Sequence, residues 1–206
     1  MKVFELQYFP PLTFFTALNK ETYAYLDIYE IYRKMSFRNR CLIAGAEGII
    51  SLSVPLVNGR NQQLEMKKVL TAGHDQWQLR HWKSIQSAYN RSPFFEYYQD
   101  ELKGLYQESF SSLTEWNLAC LKWAIKKLGW PVEIRFTDTA IPYQAEGIED
   151  QRNQILPKNY SVWNPVKYHQ VFEERTGFFP NLSVLDILFN KGNEAGELLR
   201  DAGSGK

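Results

Sequence analysis

Apolar and polar positions recur along this chain with periods that mark out most of its elements. "VFEL" at 3–6 reads as a short first strand. "QYFPPLTFF" follows, where Pro10-Pro11 imposes a turn or an extended bend before a short helix through Phe14 to Leu18. "TYAYLDIY" (22–29) is β-rich and predicts a second strand. If 30–44 is extended, Ile31, Arg33, Met35, Phe37, Asn39, Cys41 and Ile43 share one face, and Glu30, Tyr32, Lys34, Ser36, Arg38, Arg40 and Leu42 the other. The first face is mostly apolar, so the alternation predicts a strand that presents Lys34, Ser36, Arg38 and Arg40 together, with Arg33 as the exception. "GAEG" (45–48) breaks the run, "IISLSVPLV" (49–57) returns as the second strand of a hairpin, and "NGRNQQ" (58–63) is a polar loop.

The pattern then changes to a helical period. Asp75 and Gln78 form a capping-box pattern, after which Trp77, His81, Ile85 and Tyr89 recur at four-residue steps on one face. Ser92 as cap and Pro93 at the first helical position start a second helix. In the third, Ser112 and Glu115 give a capping box, and Leu113, Trp116, Cys120, Trp123 and Leu128 make an apolar stripe. Gly129 and Pro131 stop it. "VEIRFT" (132–137) alternates as a strand. Residues 138–170 are polar and contain Pro142, Pro157 and Pro165; a loop of that length is expected to be functional or disordered. "NLSVLDILFNKG" is a short helix capped by Ser183 and Asp186 and ended by Gly192, and the polar terminus after it is expected to fray. No internal repeat or low-complexity segment occurs. The predicted fold class is α/β or α+β, a single domain over 1–206 with a small mixed sheet packed against three central helices. Its strand-rich part is 1–70, its helical part 74–129 and its mixed C-terminal part 130–206.

Composition adds a large aromatic supply: six Trp, twelve Tyr and thirteen Phe in 206 residues. Most belong to the core, and the remainder can offer flat faces to sugar rings or bases in a cleft. A net charge of +1 argues against a bulk nucleic-acid binder. There is no secretory signal pattern and no run near the ~20 apolar residues of a membrane span. Cys41 and Cys120 form no CxxC and no disulfide framework, so a cytoplasmic location is expected.

Against this balanced charge, "RKMSFRNR" (Arg33 to Arg40) stands out as a local cationic block. Arg binds carboxylate or phosphate through paired planar N–H bonds, and Asn39 adds a donor and an acceptor. The competing reading is a solvated strand face or internal salt bridges to Glu30 and Asp27. His81 shares a helix face with Trp77, Ile85 and Tyr89, where an imidazole can act as general acid or base; the competing reading is a satisfied, half-buried histidine. His74 and His81 lie seven apart and His169 pairs only with Glu173, so no metal is expected. No GxSxG, Walker A or Rossmann motif occurs, "DAGSGK" lacks the first glycine of a phosphate loop, and no cofactor is expected.

The segments "YEIYRKMSFRNRCLI", "LSVPLVNG", "WQLRHWKSIQSAYNRSPFFEYYQDEL" and "NLSVLDILFNKG", in that order, resemble the WbqC-like protein family over residues 3 to about 193. The positions that match its pattern are Glu30, Tyr32, Lys34, Arg38, Asn39, Arg40, Pro55, Trp77, His81, Trp82, Tyr89, Pro93, Phe95, Leu182, Ser183 and Asp186. One departure is the opening, "LQYFPP", which has Gln7 without the proline that follows it in many members. The family is bacterial and accompanies genes for O-antigen and other surface-polysaccharide synthesis. The resemblance therefore implies a transferase moving an acyl, aminoacyl or glycosyl group to or from an activated, nucleotide-linked sugar. His81 is then the expected proton carrier, and Lys34, Arg38, Asn39, Arg40, Glu30, Tyr32 and Tyr89 the expected substrate-binding set. The partner would be a small molecule, a phosphorylated or carboxylated sugar derivative, with no nucleic acid or membrane span. The alternative is a non-catalytic anion- or nucleotide-sugar-binding module that serves a partner enzyme.

Overall fold

A computed structural model describes residues 1–73, 76–143 and 145–204. The expected cap Asp75, His74 and the last two residues of "GSGK" lie outside them. The fold is α/β. Its main sheet has the order β5-β2-β1-β6 and is parallel throughout, from β1 (Lys2–Phe4), β2 (Tyr23–Leu26), β5 (Glu133–Phe136) and β6 (Glu149–Asp150). Helix α1 (Leu12–Leu18) makes the crossover between β1 and β2 that parallel pairing requires. Strands β3 (Arg40–Gly45) and β4 (Gly48–Ser53) form the separate antiparallel hairpin, with Gly48 at φ 128° in the tight turn.

The remaining helices are α2 (Trp77–Tyr89), α3 (Phe95–Gln107), α4 (Leu113–Lys127), α5 (Glu173–Thr176), α6 (Val184–Lys191) and α7 (Ala195–Gly203); α2 and α6 pack on β3, α7 on α1, and α3 and α4 on their neighbouring helices. The expected stripe of α4 is buried, and both halves of its capping box are made: Ser112 accepts from the Glu115 amide and Glu115 from the Ser112 amide. No helix among the described residues is long and apolar enough to cross a membrane.

The structure corrects several local expectations. The second strand is shorter than 22–29. Residues 30–39 are not extended: Met35 sits at φ 55° and the Ser36 hydroxyl donates to the Arg33 carbonyl at 2.6 Å, so the chain folds back on itself. Side-chain alternation fails there. Arg38 points inward while Lys34 stays in water. Helix α3 starts at Phe95, with Ser92 and Pro93 in the preceding turn. Helix α2 enters from Gln76 with no side-chain cap. Ser183 caps α6, but the Asp186 carboxylate turns into the core. The terminus is helix α7, with Leu199 fully buried. Gly196 permits that packing, because a Cβ there would meet the Leu128 carbonyl at 2.2 Å.

Candidate functional site

Three distant stretches meet at one cleft of about 850 Å³: the turn at 31–34, the loop at 60–63 and the excursion at 143–154. Arg33, Lys34 and Arg60 line it, all exposed. Among the described residues none of the three is ion-paired; Lys34 donates to Asn61 Oδ1 at 3.1 Å. The amides of Asn61, Gln62, Gln63, Asn153 and Gln154 line the same cleft. Tyr143 offers an exposed ring, held from beneath by the Arg152 guanidinium 4.3 Å from its centroid.

Under this surface lies a buried ionic floor. Arg38 is fully buried and donates to Glu30 through Nε (2.8 Å) and Nη2 (2.6 Å). Burial works against its charge, yet Glu5 and Glu30 hold it protonated. Burial pushes Glu30 upward against the pull of Arg38. Asp27, the other acid near the block in sequence, pairs instead with Arg152, which also binds Asp150. Tyr143 links surface to floor: its hydroxyl donates to Glu30 Oε2 at 3.3 Å and accepts from Asn153 at 2.9 Å.

The predicted site residues thus fall into separate places. Tyr32 and Lys34 line the cleft, and Glu30 and Arg38 form its floor. Asn39 accepts from the Tyr32 hydroxyl at 3.0 Å and ties β3 to Val54. Arg40 is half-buried at the start of β3 and does not line the cleft. His81 and Tyr89 lie in the helical core. The His81 Nδ1 bonds Tyr8 at 3.0 Å, and Tyr8 bonds Tyr106 at 2.6 Å. Tyr89 donates to Asp186 at 2.7 Å and accepts from the Ala44 amide at 3.0 Å. Sequence reasoning passed over Arg60, Tyr143 and Asn153. The signals available were the polar "NGRNQQ" loop and the unusual length of 138–170.

Burial pushes the His81 pKa down to about 4 against a hydrogen bond to the Ser53 backbone that raises it, and the Arg80 charge lowers it further. Folding therefore favours the neutral ring. Its contribution is complete above the unfolded value of ~6.5 and is lost as pH falls from there, by up to about 3 kcal/mol. Urea midpoints taken from pH 7 downward are expected to drop more steeply for the native chain than for His81→Gln, which takes up no proton. Parallel slopes would refute this.

Among the described residues no group of three or more His, Cys, Asp or Glu is placed to hold a metal ion. The sequence pattern of the WbqC-like protein family matches residues 7–156. A Mycobacterium tuberculosis protein, Rv1507c, itself uncharacterized, is 26% identical over 86% of this chain and 89% of its own length. No solved structure matches.

Proposed function

We propose, from the premise that this chain belongs to the WbqC-like protein family, that the cleft binds a phosphate-bearing activated sugar for surface-polysaccharide synthesis. The observation that carries this reading is the unpaired trio Arg33, Lys34 and Arg60 beside the exposed Tyr143 ring. Three cations in one cleft, whose single described carboxylate, Asp150, is paired with Arg152, suit a diphosphate, the ring suits a base or sugar face, and five amides can orient it by hydrogen bonds. In a transfer reaction the same cations would stabilise charge building on the leaving phosphate.

The non-catalytic module is supported by a separate observation. The described lining holds no histidine, cysteine or serine, and its single carboxylate, Asp150, is committed to Arg152. His81, the expected proton carrier, sits in the core. Titration calorimetry with uridine diphosphate N-acetylglucosamine and with guanosine- and thymidine-diphosphate sugars tests the shared part. Removing all three cations (R33A/K34A/R60A) is expected to weaken binding by about a hundredfold or more, and added salt to weaken the native interaction. Absence of binding heat from every sugar nucleotide would sink the reading. Product formation from a bound sugar nucleotide separates the transferase from the module.

A further inference from the structure

A second cleft, of about 770 Å³, opens where α1 and the end of α7 face the 163–167 segment. Consecutive residues of one segment line both clefts, Gln151 here and Arg152 and Asn153 in the first. Its distinctive member is Trp163. The other five tryptophans are at most 8% exposed, whereas Trp163 is 39% exposed and lines the cleft. The ring is not on a loose loop: Asn181 Nδ2 donates to the carbonyls of Tyr160 (2.9 Å) and Trp163 (3.0 Å), fixing the backbone beneath it.

The polar groups around it have capacity in reserve. Thr13 lines the cleft, is 5% exposed, and its hydroxyl is buried with no hydrogen-bond partner among the described residues. Asn164 and Asp201 also line it, with exposed side chains that bond no other described residue. A buried hydroxyl without a partner is costly unless a ligand or water completes it. Charge separates this cleft from the first. It holds one acid, Asp201, and one base, Lys167, whose ammonium rests 4.0 Å from the Phe178 ring centroid. With one charge of each sign, the cleft offers an anion no net attraction. An uncharged ring with an apolar C–H face and several hydroxyls gains an indole to stack on, a carboxylate and an amide to bond its hydroxyls, and a free threonine hydroxyl.

We infer that this second cleft binds a neutral pyranose, with Trp163 as the stacking platform and Thr13, Asn164 and Asp201 as the hydroxyl-reading groups. The site is separate from the anion cleft and does not depend on what that cleft binds.

Saturation-transfer NMR on the full chain tests it, with the methyl β-glycosides of glucose, galactose and N-acetylglucosamine as probes and adenosine as a flat-ring control. A saturable signal from at least one glycoside is expected, strongest on the C–H protons of one face. Trp163→Ala should weaken it by about tenfold. Thr13→Val, which keeps the shape and removes the hydroxyl, should weaken it by a smaller factor. R33A/K34A/R60A should leave it unchanged, which distinguishes this result from failure of the anion cleft. Trp163 is exposed, so its variant is expected to melt with the native chain. No saturable signal from any of the three glycosides, binding of adenosine alone, or an equal signal in Trp163→Ala would each overturn the inference.

Discussion

Replacing Asp186 with alanine is expected to lower the unfolding free energy by about 4 kcal/mol, among the largest effects a single change produces. The carboxylate is fully buried and receives three donors: Tyr89 at 2.7 Å, Tyr168 at 2.6 Å and Gln170 at 3.0 Å. Tyr89 also accepts from the Ala44 amide, so one side chain joins α2, β3, α6 and the 168–170 segment. Alanine strands the two tyrosine hydroxyls, while Gln170 Nε2 keeps its bond to the Phe179 carbonyl at 2.9 Å, and each unsatisfied buried group costs roughly 1–3 kcal/mol. Burial raises the Asp186 pKa even against the three hydrogen bonds, so its ionised form is the costlier one. Asp186→Asn, neutral and of equal size, should therefore lose less. Denaturant unfolding followed by circular dichroism reads both variants. An alanine variant within about 1 kcal/mol of the native chain would show that the network carries little net stability.

The second large effect is expected at Glu30. Its side chain is 1% exposed and that of Arg38 is 0% exposed, and the two meet in a bidentate pair. Arg38 cannot shed its proton, so Glu30→Ala leaves a buried guanidinium beneath the cleft that has lost its bidentate hydrogen-bonded partner and keeps only the Coulomb attraction of Glu5. Breaking such a pair costs about 3–5 kcal/mol, whereas replacing both partners with apolar residues costs much less. Glu30→Leu/Arg38→Met should accordingly unfold at higher denaturant than Glu30→Ala. A double variant less stable than the single would falsify the view that the stranded charge is the dominant cost. The same change frees the Tyr143 hydroxyl from its Glu30 contact. If the cleft binds a sugar nucleotide as proposed, the variant should also weaken that binding, a readout that ordinary core damage at α7 would not share.

Much of the local structure was legible in the residues. The capping box Ser112–Glu115, the buried stripe of α4 and the hairpin turn at Gly45–Gly48 all follow from short-range chemistry, and short-range chemistry is what sequence spacing records. The order of the family's segments was legible as well, and it carried the identification. The cationic block shows where that reading stops. Its residues alternate as a strand would, but Met35 turns the chain in the left-handed region. Four residues apart, Lys34 faces water and Arg38 lies in the interior, because the carboxylates of Glu30 and Glu5 are there to receive it.

The cleft itself was out of reach of any periodicity. It joins residues 31–34, 60–63 and 143–154, which only the parallel pairing of β6 with β1 and the fold-back of 30–39 bring together. The expected unity of His81 with the arginine block failed to form one lining for the same reason. His81 was placed by its helix face, and that face packs on Tyr8 and Trp116 within the core. By itself the sequence determined the central helices, the capping box of α4, the Ser183 cap of α6, the hairpin and the family. The tertiary structure alone decided which charges are buried in pairs and which stay exposed at the cleft. Burial of a charge depends on partners far along the chain, and those partners are chosen by packing.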